Sequence, residues 1–262
     1  MLEQPTSPHT VSAQSKARVV QSPIPVMPAY FKNDAEKSQF LAGMFDSAAP
    51  DYDRMESILG FGSGSWYRRQ ALQRAGLVSG MHVVDVAVGT GLVAREAARI
   101  VGDPQRVVGV DPSAGMLHNA KVPAGVRLIE GRAESIPFPD QTFDFLSMGY
   151  ALRHISSLSV AFQEFQRVLR PGARLCILEI TAPRSRIGKA LLKAYMRTLV
   201  VSVGLLFNRS GNTARLWRYY WDSIEACVPA EGVIATLQHC GFDNVHRQVQ
   251  HGIFSEFQAT RR

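Results

Sequence analysis

The chain has 262 residues, 46% of them hydrophobic, enough to build one large α/β domain around a sizeable core. Its cysteines, Cys176, Cys227 and Cys240, are odd in number and lack CxxC or Cys/His ligand spacing, which argues against a disulfide framework or any metal site and points to a reducing cytoplasm. The net charge of +7 is local: eight of the 29 Lys and Arg residues lie between Thr181 and Trp221, a span without an acid, leaving 21 against all 22 acids elsewhere. Those basic residues sit among aliphatic ones with no recognised nucleic-acid motif, so nucleic acid is excluded as a partner.

Residues 1–30 read as a flexible tail, because Met1 to Pro28 carries five prolines amid Ser, Gln and Thr and has no apolar signal core. Residues 31–262 read as one domain, with a helical cap over 31–80. A helix is expected over Ala35–Met44 and another over Trp66–Ala75, with Asp51 and Asp53 either capping a short helix near 54–59 or serving the active site. A regular α/β alternation follows: strand 82–88, helix 91–101, strand 106–110, short helix 113–120, strands near 126–130 and 143–147. A helix carrying Leu158, Ala161, Phe162, Phe165, Val168 and Leu169 stops at Arg170-Pro171-Gly172, and a fifth strand runs from Leu175 to Ile180. Helix 230–240 and two antiparallel strands, near 244–249 and 253–259, close the chain. The pattern predicts a doubly wound, mostly parallel seven-stranded sheet of Rossmann-like type with a C-terminal hairpin, and a ligand beyond the carboxyl ends of its strands.

The chemistry concentrates in Val83-Val84-Asp85-Val86-Ala87-Val88-Gly89-Thr90-Gly91, answered by Val107-Val108-Gly109-Val110-Asp111. Gly89 and Gly91 permit a tight turn and close approach of a ligand to the backbone, and the next helix offers its N-terminus. Asp111, one strand over, can accept from both hydroxyls of a ribose. The spacing also fits the loose dinucleotide pattern, so an NAD(P)-dependent oxidoreductase is a second reading. Two features favour S-adenosylmethionine (SAM): 82 residues precede the strand, and Asp85 lies inside it, where a carboxylate can face a cationic aminoacyl group. The third loop, Gly131-Arg132-Ala133-Glu134, is placed to read an adenine edge, and Met148 to His154 and Glu179 fall on the same side of the sheet.

Several separated stretches resemble the ubiquinone/menaquinone-biosynthesis C-methyltransferases, a class I SAM-dependent family. They are Phe45-Asp46 to Pro50-x-Tyr52-Asp53 with Ser57, Gly62 and Trp66; Ala133-Glu134-x-Ile136-Pro137-Phe138-x-Asp140-x-x-Phe143-Asp144 running into Ala151-Leu152-Arg153-His154; Arg167 to Gly172 with Leu178-Glu179-Ile180; Arg218-Tyr219-x-x-Asp222-Ser223-Ile224; and Gly241-Phe242 to Gly252-Ile253. The resemblance implies methyl transfer from SAM to a ring carbon of a prenylated quinol, with Thr90, Asp111, Arg132, Ala133 and Gly149 at the cofactor and Tyr52 and Arg153 near the ring. His154 stands where the family usually has Asn, and Ala87-Val88 replaces a more Gly-rich turn. An acceptor with a different phenolic or polyketide ring, and a catalytically idle SAM-binding scaffold, are the remaining readings.

A phenol titrates near 10 (about 10 in model compounds), so a base or a cation beside the oxygen helps the adjacent ring carbon attack. Arg153 is the preferred stabiliser of the phenolate, because its charge is permanent, and His154 the preferred base. Each has a structural alternative: Arg153 as a partner of Glu179, His154 as a hydrogen-bonding core residue, and Tyr52 as packing.

Residues 185–225 read as a basic amphipathic cover or lid. Between Ile187 and Phe207, Lys189, Lys193 and Arg197 recur on one helical face amid Leu191, Leu192, Tyr195, Met196, Leu199, Val200, Val201, Val203, Leu205 and Leu206. The apolar run after Arg197 is about ten residues, short of the ~20 that span a bilayer. Such a helix suits the interface plane of a membrane, which places a cytoplasmic protein peripherally on the inner face, and it equally suits a cover helix with a solvated basic face. Homo-oligomerisation is left open by the sequence.

Overall fold

The β-branched runs become a seven-stranded sheet in the order β3-β2-β1-β4-β5-β7-β6. The strands are β1 (Val83–Val86), β2 (Val107–Asp111), β3 (Arg127–Glu130), β4 (Phe143–Gly149), β5 (Leu169–Ile180), β6 (Phe242–Gln250) and β7 (Phe254–Arg261). β1 to β5 are parallel, and β7 runs antiparallel to both β5 and β6. The computed structural model describes residues 20–59, 62–183, 185–199, 202 and 212–262.

Every residue of β1 and β2 is buried, as a parallel strand covered on both faces requires. Alternation assigns the faces. Val83 packs with α2 (Gly64–Arg74) and α3 (Leu92–Val101), whereas Val84 and Val86 pack with α5 (Leu158–Val168) and the late helix Ala230–His239. Asp85, two residues from Val83, therefore points into the α2/α3 layer. β1 is also where the strand order reverses, β2 on one side and β4 on the other, and a crevice opens beyond its carboxyl end.

A third apolar cluster builds the cap. α1 (Asp34–Leu59) contributes Leu41, Met44, Ala48 and Met55, and Leu216, Tyr219, Tyr220, Trp221 and Ile224 come from the helix Asn212–Ala226. α1 is one continuous helix rather than an N-terminal helix followed by a short capped one. Pro50 sits inside it and removes the bond to the Asp46 carbonyl, and the buried Ala48, Ala49 and Met55 carry the helix across the gap. Asp51 and Asp53 are thus interior helix positions and cap nothing. The remaining helices are α4 (Ala114–His118), α6 (Arg186–Ala194) with a π turn over Tyr195–Leu199, α7 (Asn212–Ala226) and α8 (Ala230–His239).

Two boundaries moved for identifiable reasons. β5 begins at Leu169, six residues before the expected start, because the register jumps from Phe143–Leu169 to Phe145–Arg174 and the intervening residues bulge. Gly172, at φ +77°, and Pro171, which has no N–H to donate, fit that bulge. The expected tail ends earlier than residue 30. The Val20 N–H donates to Thr236 Oγ1 at 3.0 Å, Leu158 N–H to the Gln21 carbonyl at 2.7 Å and Val228 N–H to the Pro23 carbonyl at 2.8 Å, and Ile24 is buried. Residues 1–19 lie outside the described residues, as does most of the apolar run expected after Arg197.

Gly109, in the middle of β2, leaves no room for a side chain. A Cβ there would lie 2.7 Å from Val88 Cγ2 and 2.8 Å from Leu128 Cδ2. Gly109→Ala is expected to lower stability by about 1–3 kcal/mol through overpacking, read as a fall in the midpoint of thermal unfolding.

Candidate functional site

The turn after β1 is held by a carboxylate. Asp111 Oδ2 accepts from the Gly89 N–H at 2.8 Å and Oδ1 from the Ser113 N–H at 2.8 Å. Gly89 and Gly91 take φ +55° and +87°, and Gly91 is the N-cap of α3. Two larger residues, Ala87 and Tyr150, also adopt positive φ, at +56° and +60°, just beyond the ends of adjacent β1 and β4. Strain of this kind persists where surrounding structure imposes it, and both residues line the crevice. At Gly149 a Cβ would lie 2.6 Å from Val93 Cγ2, so only glycine lets β4 end so close to α3.

The crevice is a cavity of about 430 Å³, within the range of small-molecule sites. Tyr52, Asp85, Gly89, Thr90, Asp111, Arg132, Ala133, Gly149 and His154 all line it. Gly91 stands one residue behind the wall. Along one end run Asp111, the Arg132–Ala133 loop and the glycine turn, the groups suited to a nucleoside. Arg132 is half-exposed and donates to Ser156 Oγ at 3.2 Å.

Asp85 is 1% exposed. Ser147 Oγ donates to its Oδ1 at 2.7 Å, and its Oδ2 has no partner among the described residues. Burial pushes its carboxyl up to about 7, and burial likewise lifts Asp111 to about 6. A buried carboxylate oxygen without a donor calls for a cation, which an aminoacyl ammonium supplies and a dinucleotide pyrophosphate does not. The residues present therefore fit SAM: a glycine cradle, a ribose-facing acid and an acid for the amino group.

α1 is fastened across this end by two carboxylates. Asp53 accepts from Thr90 Oγ1 and from both terminal nitrogens of Arg95 at 3.2 Å, and Asp46 accepts from Ser113 Oγ and from the Gly115 N–H at 3.1 Å. Asp53 thus neither caps a helix nor lines the cavity; it holds Thr90 from behind the wall.

The cavity also has an aromatic group of lining residues, Phe45, Tyr52, His154 and Tyr220. The Tyr52 and Tyr220 hydroxyls are 2.8 Å apart, and burial raises both above the ordinary phenol value, so both stay protonated. His154 stacks on Tyr219 with centroids 5.6 Å apart and meets the edge of Phe45 at 5.3 Å. Its Nδ1 lies 3.2 Å from the Tyr219 hydroxyl and its Nε2 has no partner among the described residues. Burial first, then the charges of Arg153 and Lys37, hold the imidazole well below its usual value, so it is neutral.

Arg153 corrects the sequence expectation. It is fully buried and absent from the cavity wall. Nη1 donates to Glu179 and to the Tyr150 carbonyl at 3.0 Å, Nε donates to Ser223 Oγ at 3.1 Å, and the guanidinium lies 4.5 Å from the Tyr220 ring centroid. It braces the wall from behind and makes no contact with the cavity. Glu179, also expected at the site, is its buried counter-charge. Besides the expected Arg132, a second cation lines the cavity, Arg68 on α2, which sequence reasoning missed. The signal was an arginine on the same helical stripe as the buried Ala71 and Leu72.

Comparison with known proteins agrees with this geometry. The model of the ubiE/COQ5 methyltransferase family matches residues 32–261. The ubiquinone/menaquinone biosynthesis C-methyltransferase UbiE of Geobacter sulfurreducens is 35% identical over 226 residues, covering 83% of this chain and 87% of the relative. The demethylmenaquinone methyltransferase of Lactiplantibacillus plantarum is 34% identical over 213 residues, covering 79% and 89%. Among solved structures, a SAM-dependent methyltransferase from Thermotoga maritima matches with a TM-score of 0.59 at 19% identity, over 85% of this chain and 100% of that one, a likeness of fold.

The raised carboxyl of Asp85 gives a pH signature. A ligand ammonium prefers the ionised form, so binding must displace a proton below about pH 7. Affinity for S-adenosylhomocysteine is expected to rise from about pH 6 to about pH 7.5, and Asp85→Asn, measured by calorimetry, should flatten that dependence.

Proposed function

On the premise that this chain belongs to the ubiE/COQ5 methyltransferase family and is a SAM-dependent methyltransferase, we propose that its acceptor is a ring carbon of a lipophilic quinol, as the names of its relatives suggest. The observation that carries this is that Phe45, Tyr52, His154 and Tyr220 line the same cavity as Asp85, Asp111 and the glycine turn, and that His154 Nε2 has no partner among the described residues.

SAM, when bound, supplies an activated methyl group on a sulfonium. The protein's own task is placement and proton handling. Asp85, Asp111 and the glycine turn fix the donor end. Phe45, Tyr220 and Tyr52 line the end left for a flat ring. With the imidazole proton on Nδ1, directed at the Tyr219 hydroxyl, the buried and unpartnered Nε2 is left to accept the proton of a quinol hydroxyl admitted to the cavity. Electron density then moves to the adjacent ring carbon, which takes up the methyl group as its bond to sulfur breaks and a neutral thioether leaves. Loss of that carbon's own proton, with return of a proton to the ring oxygen, restores the aromatic quinol. The low basicity of the buried imidazole keeps it unprotonated and ready through neutral pH. A ring carrying hydroxyls and little charge also suits walls that offer neutral hydroxyls.

His154→Gln should leave S-adenosylhomocysteine affinity unchanged and lower methyl incorporation into a demethylated quinol by about 10²- to 10⁴-fold. His154→Asn restores the residue the family usually carries. Full rate in that variant across about pH 6–9 would exclude the imidazole as the base.

The proposal includes a membrane surface, because a prenylated acceptor lives there. No helix among the described residues is long and apolar enough to cross a membrane. α6 shows the outward face to be apolar rather than basic as expected. Lys189 and Lys193 reach Glu225 at 2.9 and 3.7 Å and Arg197 reaches Asp222 at 2.6 Å, while Ile187 and Leu191, one turn apart, are 76% and 67% exposed. An apolar edge flanked by half-exposed cations fits an anionic lipid surface. In co-sedimentation with anionic liposomes, Ile187→Asp/Leu191→Asp is expected to reduce the bound fraction more than charge reversal of Lys189, Lys193 and Arg197. Unchanged binding of the Asp double variant would refute contact through this face.

A further inference from the structure

Arg68 is a charged group on the cavity wall that the mechanism above leaves without a role. It is 3% exposed. Its Nη2 donates to Glu56 Oε1 at 2.7 Å, whereas Nε and Nη1 have no partner among the described residues. Its guanidinium lies 5.5 Å from the Tyr150 ring centroid. Gly64, four residues earlier on the same helix, makes room for this arrangement. A Cβ there would lie 2.3 Å from Glu56 Oε1 and 2.5 Å from Arg68 Nη1. A guanidinium whose N–H groups are buried and idle is costly, and its planar fork matches a carboxylate better than any other common anion.

Asp85 supplies the complement. It points into the layer that contains α2, lines the same cavity, and keeps Oδ2 idle. The Arg68 charge is close enough to draw the Asp85 carboxyl downward against the effect of burial. Glu56 does not consume the cation, since it engages only Nη2 and is itself part-exposed. One buried cation with free donors and one buried anion with a free acceptor, on one wall, form a receptor for an ammonium and a carboxylate carried on the same carbon. That is the α-amino-acid group.

We infer that Arg68 is a donor-specificity residue: it binds the carboxylate of the donor's aminoacyl end while Asp85 takes the amino group, so the site selects adenosyl ligands that carry an intact amino acid. The inference rests on SAM as donor and is independent of the quinol. The competing source of an anion is a phenolate of the acceptor, and the two are separable by binding alone.

The test is calorimetry on the full chain with S-adenosylhomocysteine and with 5′-methylthioadenosine, which has the nucleoside and thioether but no amino-acid group. Arg68→Met should lose about 10- to 100-fold in affinity for S-adenosylhomocysteine, the worth of one or two charge-assisted hydrogen bonds, and hold methylthioadenosine within about twofold. Arg68→Lys, which keeps the charge without the fork, should fall between. Retained methylthioadenosine binding also shows that the variant is folded. Unchanged S-adenosylhomocysteine affinity in Arg68→Met, with or without a raised KM for the acceptor, would overturn the inference, as would an equal loss of both ligands. If wild-type protein bound neither, the methyl-donor assignment itself would fail instead.

Discussion

The structure turns on two carboxylates that the fold keeps out of water at the ends of neighbouring strands. Asp85 and Asp111 are both nearly inaccessible, and burial raises both well above the ordinary aspartate range. Asp111 recovers part of that cost from the Gly89 and Ser113 amides, which also fix the glycine turn. Asp85 recovers less, through Ser147, the Ala94 amide and the Arg68 charge, and Oδ2 has no partner among the described residues. The apo protein therefore holds a desolvated anion that ligand binding relieves. Such sites are maintained only by the rigid sheet around them, which explains why β1 and β2 are buried on both faces.

The rest of the cavity follows from that polarity. Nucleoside and amino acid are recognised by charge and backbone at one end. The other end contains Tyr52, Tyr220 and His154, each held in its neutral form by burial. Arg153 favours the neutral imidazole from behind the wall, while the raised tyrosines owe their protonation to burial against its pull. Its pairing with Glu179 keeps the pair nearly neutral as a unit, its guanidinium orients the Tyr220 ring, and its residual field presses the imidazole towards neutrality. A cation placed one layer back tunes the base without touching the acceptor.

Strand periodicity, the glycine turn and the acid ending β2 were legible in the sequence because they are local: residue type and spacing fix them within a few positions. The doubly wound sheet and its closing hairpin followed from the same alternation. What was not legible depended on long-range partners. No local rule says that α1 continues through Pro50, since the continuation is carried by burial of Ala48, Ala49 and Met55 against α7. Arg153 lies beside the recognisable Leu152 and His154, but only the fold reveals that Glu179 and Ser223 draw it away from the cavity. Arg68 had the opposite fate: an unremarkable arginine in the sequence became a cavity residue because α2 packs over the face of Asp85.

α1 joins the two ends of the site mechanically. Asp46 and Asp53, one turn either side of Pro50, are bonded to the loops that grip the donor, while Tyr52 between them meets Tyr220 of α7 at the acceptor end. Displacing either carboxylate must therefore shift the aromatic wall, and repacking Tyr220 must strain the Thr90 turn. Donor and acceptor geometry are set by one rigid element, which is what in-line methyl transfer demands of a protein whose main contribution is alignment.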